Sequence, residues 1–346
     1  MSIPRVLRVL VVDDSAYVRK VVSQLLSRSP FLEVVGTARD GQEALEKAAE
    51  LEPDVITCDL IMPNLDGLGF VREQMARRPI PIVIVSVASE SGELVLNALD
   101  AGAVDVVQKP TALASERLME ISDDLIAKVK AASDARLRRP APADAAKATR
   151  QPLAPKGLVD IVVLGISTGG PQALRALIPK LPAELSVPLA VVLHMPVGYT
   201  EMYARKLDEL SSLSVVEASE GLEVRPGTVL IAPAGRHLSM RRIGNGSVTT
   251  HLDVRPLDTP HRPSVDVLFQ SAADVYAGRV LGVVMTGMGS DGREGSAWIK
   301  AKGGRILTES EESCVVYGMP RSVVEAGLSD QSVELDRMAD AILEQL

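Results

Sequence analysis

Twice along this chain, short runs of β-branched and other apolar residues alternate with longer stretches of helical spacing. No other feature constrains the fold as strongly. In the first block the apolar runs fall at residues 6–12, 33–37, 54–58, 81–85 and 105–107. Segments such as 16–26, 42–51 and 93–101 carry helical spacing between them, and a fifth helix is predicted over 115–132. Five strands interleaved with helices predict βαβ units, and hence a parallel sheet covered on both faces.

The pattern then stops. Residues 136–157 carry Pro140, Pro142, Pro152 and Pro155 among Ala, Arg and Lys, without apolar periodicity. Proline stiffens such a stretch locally and nothing in it can form a core, so it reads as a linker. A second alternating block begins at Asp160, with runs at 161–166, 189–193, 215–216, 229–231, 280–285 and 305–307. Gly244-Asn245-Gly246, between apolar stretches 238–243 and 248–251, is a hairpin signal. The expectation is therefore an α/β chain in three parts. Residues 1–132 form a (βα)5 domain with a flavodoxin-like parallel sheet, and 133–157 a Pro/Ala-rich linker. Residues 158–346 form a second doubly wound, mostly parallel α/β domain with an antiparallel hairpin. A length of 346 residues, beyond what one core usually serves, fits two domains.

Composition narrows the function classes. Residues are 46% hydrophobic but only 3% aromatic, so the cores must be built from Val, Leu, Ile and Ala. A net charge of −8 argues against general affinity for nucleic acid, which needs a dense basic surface. Cys58 and Cys314 both lie in apolar, strand-like contexts and read as buried free thiols, which suit a reducing cytoplasm. The four histidines are scattered, so no zinc site is expected. No apolar stretch reaches the roughly 20 residues that cross a bilayer. The N-terminal MSIPRVLRVLVVDDS is basic then apolar, but the two aspartates ending the run point to a buried first strand rather than a signal peptide. A cytoplasmic protein without membrane insertion is expected.

Three carboxylates end strands in the first block: Asp13 and Asp14 after the first, Asp59 after the third. Ligands of a doubly wound sheet bind at the C-terminal strand edge. Acids converging there repel one another unless a hard cation such as Mg²⁺ neutralises them. Ser86 closes the fourth strand, and Lys109, followed by Pro110, closes the fifth. Together they read as a phosphoryl-transfer site. Asp59 is its nucleophile, Mg²⁺ and Lys109 stabilise the phosphoryl oxygens, and Ser86 senses the result. Taken singly, a strand-end aspartate reads as a helix cap and Lys-Pro as a turn; the joint occurrence in strand order carries the reading. VVDDS, CDLIMPNLDG, VSVAS and QKP resemble the motifs of response-regulator receiver domains. The resemblance implies phosphorylation of Asp59 by a partner sensor histidine kinase. It also implies Mg²⁺ held by Asp14, Asp59 and the carbonyl of Ile61, with Asp13 assisting. Many receivers carry Phe or Tyr three residues before the lysine, where this chain has Val106. Signalling is therefore expected to rest more on Ser86 and on domain repacking.

The second block opens with DIVVLGISTGGP at 160–171: a buried strand, then G-x-S-x-G, then a helix near Pro171. Such a turn puts Ser167 at the sheet edge with following N–H groups free to hold an oxyanion. Alone it is ambiguous, because a glycine-rich strand–turn–helix also binds phosphates. Two later strand ends decide between them. The run 189–193 ends in His194, and the run 280–285 leads to Thr286-Gly287-Met288-Gly289-Ser290-Asp291. Ser, His and Asp each following a parallel strand can converge at one crevice. His194 would take the proton of Ser167, Asp291 would hold the imidazole tautomer, and the Met288 amide could serve the oxyanion. The order Ser, His, Asp differs from that of α/β-hydrolases. His237 reads as a strand entry and His251 as a hairpin position. His261, in HRPSVD, could line the cleft before a helix at 265–276 with Ser264 as N-cap.

GISTGGP, LHMPVGYT, IAPAGRHL, HRPSVDVLF, MTGMGSDGREG and CVVYGMPRSVVEAG resemble the catalytic domain of chemotaxis protein-glutamate methylesterases, the CheB family. The resemblance spans the second domain, and the receiver–linker–esterase arrangement is also that family's. It implies hydrolysis of glutamate γ-methyl esters on methyl-accepting chemoreceptors, releasing methanol, with some members also deamidating receptor glutamines. It further implies Ser167, His194 and Asp291 as the triad, backbone amides of Thr168 and Met288 near the oxyanion, and no cofactor for the ester reaction. Phosphorylation at Asp59 is expected to release a blocked esterase. The rival readings are a catalytically inactive response regulator that signals by contact, a DNA-binding regulator and a nucleotide-binding domain. The complete Ser–His–Asp set speaks against the first. The second lacks a helix-turn-helix pattern.

Overall fold

The computed structural model describes residues 5–86, 92–109, 115–135, 159–244 and 246–346. Most of the expected linker, Pro110, part of VSVAS and Asn245 lie outside the described residues. The chain divides into two compact units, Met1–Pro142 and Ala143–Leu346.

The first unit runs β1 (Leu7–Val12), α1 (Ala16–Leu26), β2 (Leu32–Ala38), α2 (Gly41–Leu51), β3 (Val55–Cys58) and α3 (Gly67–Arg77). It continues through β4 (Ile82–Ser86), α4 (Gly92–Asp100), β5 (Asp105–Gln108) and α5 (Ser115–Ser133). Its strands pair in parallel in the order β2-β1-β3-β4-β5. Val9–Val12, all of β3 and all of β4 are buried, as a sheet covered on both faces requires. Helix starts follow side-chain capping: Ser15, Asp40 and Asp66 accept the N–H groups of Val18, Glu43 and Gly69.

The second unit runs β6 (Ile161–Ile166), α6 (Gly170–Leu177), β7 (Leu189–Leu193), α7 (Thr200–Leu210), β8 (Ser214–Glu217), β9 (Thr228–Ile231), β10 (His237–Arg242) and β11 (Val248–Asp253). It continues through α8 (Val265–Tyr276), β12 (Val280–Val284), α9 (Arg293–Ala301), β13 (Arg305–Glu309), α10 (Met319–Glu325), β14 (Gln331–Val333) and α11 (Leu335–Gln345). Seven parallel strands pair in the order β14-β13-β12-β6-β7-β9-β8, while β10 and β11 form the separate antiparallel ribbon that the hairpin signal predicts. From β6 the chain moves one way to β7, and from β12 it moves the other way to β13. The C-terminal ends of β6 and β12 therefore flank a topological switch point, where such sheets open a crevice.

One expectation needs correction, and one strand was not foreseen. Cys314 is buried, but it lies in a turn after β13 rather than in a strand. β14 carried no hydrophobic signal, since two of its three residues are exposed; it exists by pairing with β13 at Leu307–Glu309.

The core of the second unit gathers β6, β7, β12 and α8 around Val163, Val192, Phe269 and Val284, all wholly buried. Gly165 explains how closely α8 approaches the sheet. A Cβ placed on it would lie 2.6 Å from Val265 Cγ2, inside van der Waals contact. The first glycine of G-x-S-x-G thus serves the packing of α8 on β6. Gly165→Ala is expected to destabilise the protein by about 1–3 kcal/mol through overpacking. Urea unfolding of the variant checks this; an unchanged midpoint would show that α8 yields without cost.

Candidate functional site

In the first unit, Asp59 N–H donates to the Val12 carbonyl at 2.9 Å, which sets Asp59 beside Asp13 at the ends of adjacent strands. Lys109 arrives at the end of β5, its N–H bonded to the Ser86 carbonyl at 2.8 Å. Its Nζ bridges Asp13 Oδ2 and Asp59 Oδ2, each at 2.8 Å. The remaining oxygens are partly engaged: Asp13 Oδ1 accepts Ser15 N–H at 2.9 Å and Asp59 Oδ1 accepts Leu60 N–H at 2.8 Å. Burial pushes the Asp13 carboxyl up, against the pull of Lys109. Burial also pulls the Lys109 ammonium down, but the two carboxylates outweigh it and hold its pKa above the ordinary value.

Asp13, Asp14 and Asp59 bring oxygens within 4.8 Å of one another, and Asp14 is exposed to solvent. Three carboxylates against one ammonium leave negative charge, and an all-oxygen donor set suits a hard divalent cation. Ile61 lies in the exposed loop that follows, and Ser86 is buried. Val106 is 2% exposed, so no aromatic ring can swing from that position. Lys128 of α5 lies beside it, donating to the Val106 carbonyl at 2.7 Å and pairing with Asp105 at 3.3 Å. Sequence reasoning missed this lysine, because a basic residue on a helix usually faces solvent.

In the second unit, strand register assembles the other site. Ile166 pairs with Leu193 and Gly165 with Val284, so Ser167 stands between His194 and Thr286. Ser167 N–H donates to the Thr286 carbonyl at 2.9 Å, and His194 N–H to the Ile166 carbonyl at 3.1 Å. Gly287 keeps the crevice narrow: a Cβ on it would lie 2.7 Å from Ser167 Cβ. Thr286 is itself fastened from below. Its N–H donates to the buried Glu309 carboxylate at 2.9 Å, and its hydroxyl to the Thr168 carbonyl at 2.9 Å. Glu309 was another residue the sequence did not flag.

His194 Nε2 meets Asp291 Oδ2 at 2.9 Å. The opposite ring nitrogen, Nδ1, is buried and makes no hydrogen bond among the described residues. With Nε2 turned to the carboxylate, Nδ1 is left as the nitrogen that can take a proton. Asp291 accepts three further hydrogen bonds: Val265 N–H at 2.8 Å, Asp266 N–H at 3.0 Å and Ser264 Oγ–H at 2.9 Å. Burial opposes its charge, but the bond to His194 and the N–H groups at the start of α8 win and hold its pKa well below the carboxylate range. Ser264 is the N-cap residue of α8, as expected, but its hydroxyl serves Asp291 instead of capping, and Asp291 caps the helix from another loop.

The other histidines divide. His261 stacks on His194 with centroids 4.2 Å apart and planes 25° from parallel. The sequence placed HRPSVD at the cleft but did not anticipate this contact. His237 is buried; its Nδ1 accepts Ser264 N–H at 3.2 Å and its Nε2 lies 3.1 Å from the Pro256 carbonyl, so it donates there. Burial lowers its pKa, which favours this neutral form. His251 pairs with Glu220 at 2.9 Å on β11. Thr168 is buried, and the Met288 N–H has no acceptor among the described residues.

Residues 162–342 match the CheB methylesterase family, and residues 9–122 match the response regulator receiver domain. A Myxococcus xanthus protein named protein-glutamate methylesterase/protein-glutamine glutaminase 5 is 53% identical over 98% of this chain and 97% of its own. One from Symbiobacterium thermophilum, named protein-glutamate methylesterase/protein-glutamine glutaminase, is 46% identical over 98% of this chain and 97% of its own. The crystal structure of the Thermotoga maritima CheB methylesterase catalytic domain is 41% identical, covers 54% of this chain and 99% of itself, and superposes with a TM-score of 0.53. No helix among the described residues is long and apolar enough to cross a membrane.

Two outcomes are expected. Lys109→Ala leaves two buried carboxylates without their cation, a loss of about 3–5 kcal/mol. The Asp13 pKa is already raised by burial, so the variant's deficit should be smallest below the unfolded value of 3.8 and grow as pH rises. Urea unfolding of parent and variant at acid and neutral pH reads this; a deficit independent of pH would assign the loss to packing. Asp291→Asn cannot keep its neighbours in either orientation, since both oxygens accept backbone N–H groups. It should lower the melting temperature as well as any activity that depends on the His194 tautomer.

Proposed function

The chain belongs to the CheB methylesterase family, and we propose that it is a phosphorylation-activated protein-glutamate methylesterase. Its substrates are glutamate γ-methyl esters on methyl-accepting chemoreceptors. Residues 1–132 act as the receiver, 133–157 as the linker and 158–346 as the esterase. The single observation that carries the reading is the orientation of His194, its Nε2 on Asp291 and its buried Nδ1 unbonded, on a residue whose backbone N–H is bonded to Ile166, next to Ser167.

Ser167 Oγ attacks the ester carbonyl carbon while His194 Nδ1 takes its proton. The imidazolium so formed is stabilised through Nε2–H by Asp291, which stays ionised. Backbone N–H groups of Thr168 and Met288 hold the developing oxyanion. Collapse expels methoxide, which leaves as methanol with the proton from His194. Water, deprotonated by the same imidazole, then cleaves the acyl-serine to free glutamate and Ser167. The same steps on a glutamine side chain release ammonia, the second activity named for the relatives. His261, stacked on His194, holds the ring plane.

In the receiver, Asp59 accepts the phosphoryl group from a sensor histidine kinase. Asp13, Asp14, Asp59 and the Ile61 carbonyl would hold Mg²⁺, which supplies charge neutralisation to the transferring phosphoryl group. Lys109 faces Asp59 and contributes an ammonium to the same end, and Ser86 responds to the new charge. The protein acts in the cytoplasm, where receptors present their methylated helices.

The test is methanol release from a methylated chemoreceptor fragment, with and without acetyl phosphate and Mg²⁺. Release should rise with the phosphodonor, lose that rise in Asp59→Ala, and fall by roughly 10³-fold or more in Ser167→Ala and His194→Ala. Release that ignores the phosphodonor would remove the regulatory half. Absence of release from every methylated receptor would favour an inactive regulator signalling by contact.

A further inference from the structure

The carboxylate of Asp266 has no part in the chemistry above, yet it is tied to the loop that carries Asp291. Asp266 sits in the first turn of α8, and its Oδ1 accepts the N–H groups of Gly292 at 2.9 Å and Gly295 at 2.7 Å. Those glycines are the N-cap and an early residue of α9. Asp291, the residue before Gly292, returns the arrangement by accepting the N–H groups of Val265 and Asp266 at the start of α8. Each acid therefore caps the helix that follows the other.

We propose that Asp266 is a positioning residue of the esterase site: by holding Gly292 and Gly295 it fixes the loop through which Asp291 reaches His194. The inference rests on the reading of Ser167, His194 and Asp291 as the catalytic set.

Three observations support it. Neither α8 nor α9 has a capping bond from its own N-cap residue, so the orphan N–H groups depend on the exchanged acids. Two carboxylates brought together away from full hydration are costly, and partial burial with the charge of Asp291 raises the Asp266 pKa to about 6. The cost of this half-buried like-charge pair is offset by the two backbone N–H groups that each acid accepts. Finally, Ser264, Val265 and Asp266, three successive residues, all touch the Asp291 carboxylate. A shift of α9 against α8 therefore moves Asp291 relative to His194, and displacements near 1 Å in such a set cost on the order of 10²-fold in rate.

The two bonds that Asp266 accepts end on one oxygen. An amide keeps that oxygen and loses the charge, so two variants of the full chain separate positioning from mere stability. Asp266→Ala should lower kcat for methanol release roughly 10- to 100-fold with KM within about twofold. Asp266→Asn should restore kcat to within about threefold of the parent. Imidazole ¹⁵N resonances provide a readout without substrate. His194 should keep one fixed Nε2–H tautomer in the parent and in Asp266→Asn, and become a mixture in Asp266→Ala.

Asp266→Ala with kcat within twofold of the parent and an unchanged His194 tautomer would overturn the inference, whatever its melting temperature. So would Asp266→Asn failing as deeply as Asp266→Ala. A parent that releases no methanol would defeat the functional reading instead, and the His194 tautomer would still decide the role of Asp266.

Discussion

The second unit is organised around a buried negative charge, the carboxylate of Asp291. An isolated carboxylate in a core is prohibitively costly, and this one is met by four donors from two elements. Three come from the start of α8 and one is His194. The helix N-terminus adds its partial positive charge, which keeps the group ionised. Much of the site follows from this one interaction. The loop after β12 is clipped to α8, α8 is pressed onto β6 where Gly165 lacks a side chain, and the His194 ring is turned so that Nδ1 is left unbonded.

The receiver site meets the same electrostatic problem with different means. There the acids follow β1 and β3, Asp13 accepts one N–H from Ser15 at the start of α1, and an ammonium, Lys109, bridges two of the three. A mobile side chain can be displaced or can redirect its charge towards a phosphoryl group. Backbone N–H groups at a helix start cannot. A site that must change its state is built on a lysine, and a site that must hold one geometry through many turnovers is built on fixed backbone donors. Both stand at the C-terminal ends of neighbouring parallel strands, where a doubly wound sheet leaves side chains uncovered.

How much of this was legible in the sequence differs by residue. The runs that became β6 and β7 match their predicted limits, because a strand covered on both faces must be apolar along its whole length. The strand-end residues Asp59, Lys109, Ser167 and His194 could be placed from the same runs, since the sheet edge lies where the apolar stretch stops. β14 was illegible: it is short and largely exposed, and it is held by pairing with β13 and by a Ser332–Thr308 hydroxyl contact that no local pattern announces. Lys128 and Glu309 were illegible for another reason. Each is a charged residue made tolerable by partners far along the chain, and no local pattern announces such a partner.

By itself the sequence determined the two alternating blocks, the parallel sheets and the order in which chemically capable residues meet the sheet edges. These follow from local hydrophobic pattern and chain connectivity, which act over a few residues at a time. Tertiary structure decided which nitrogen of His194 faces Asp291, that His261 stacks on that ring, and that Ser264 spends its hydroxyl on Asp291. It also decided that Asp266 and Asp291 exchange caps between two helices. Those outcomes depend on donors and acceptors brought together across long stretches of chain. A hydrogen bond takes its energy from distance and angle, which only the assembled fold supplies.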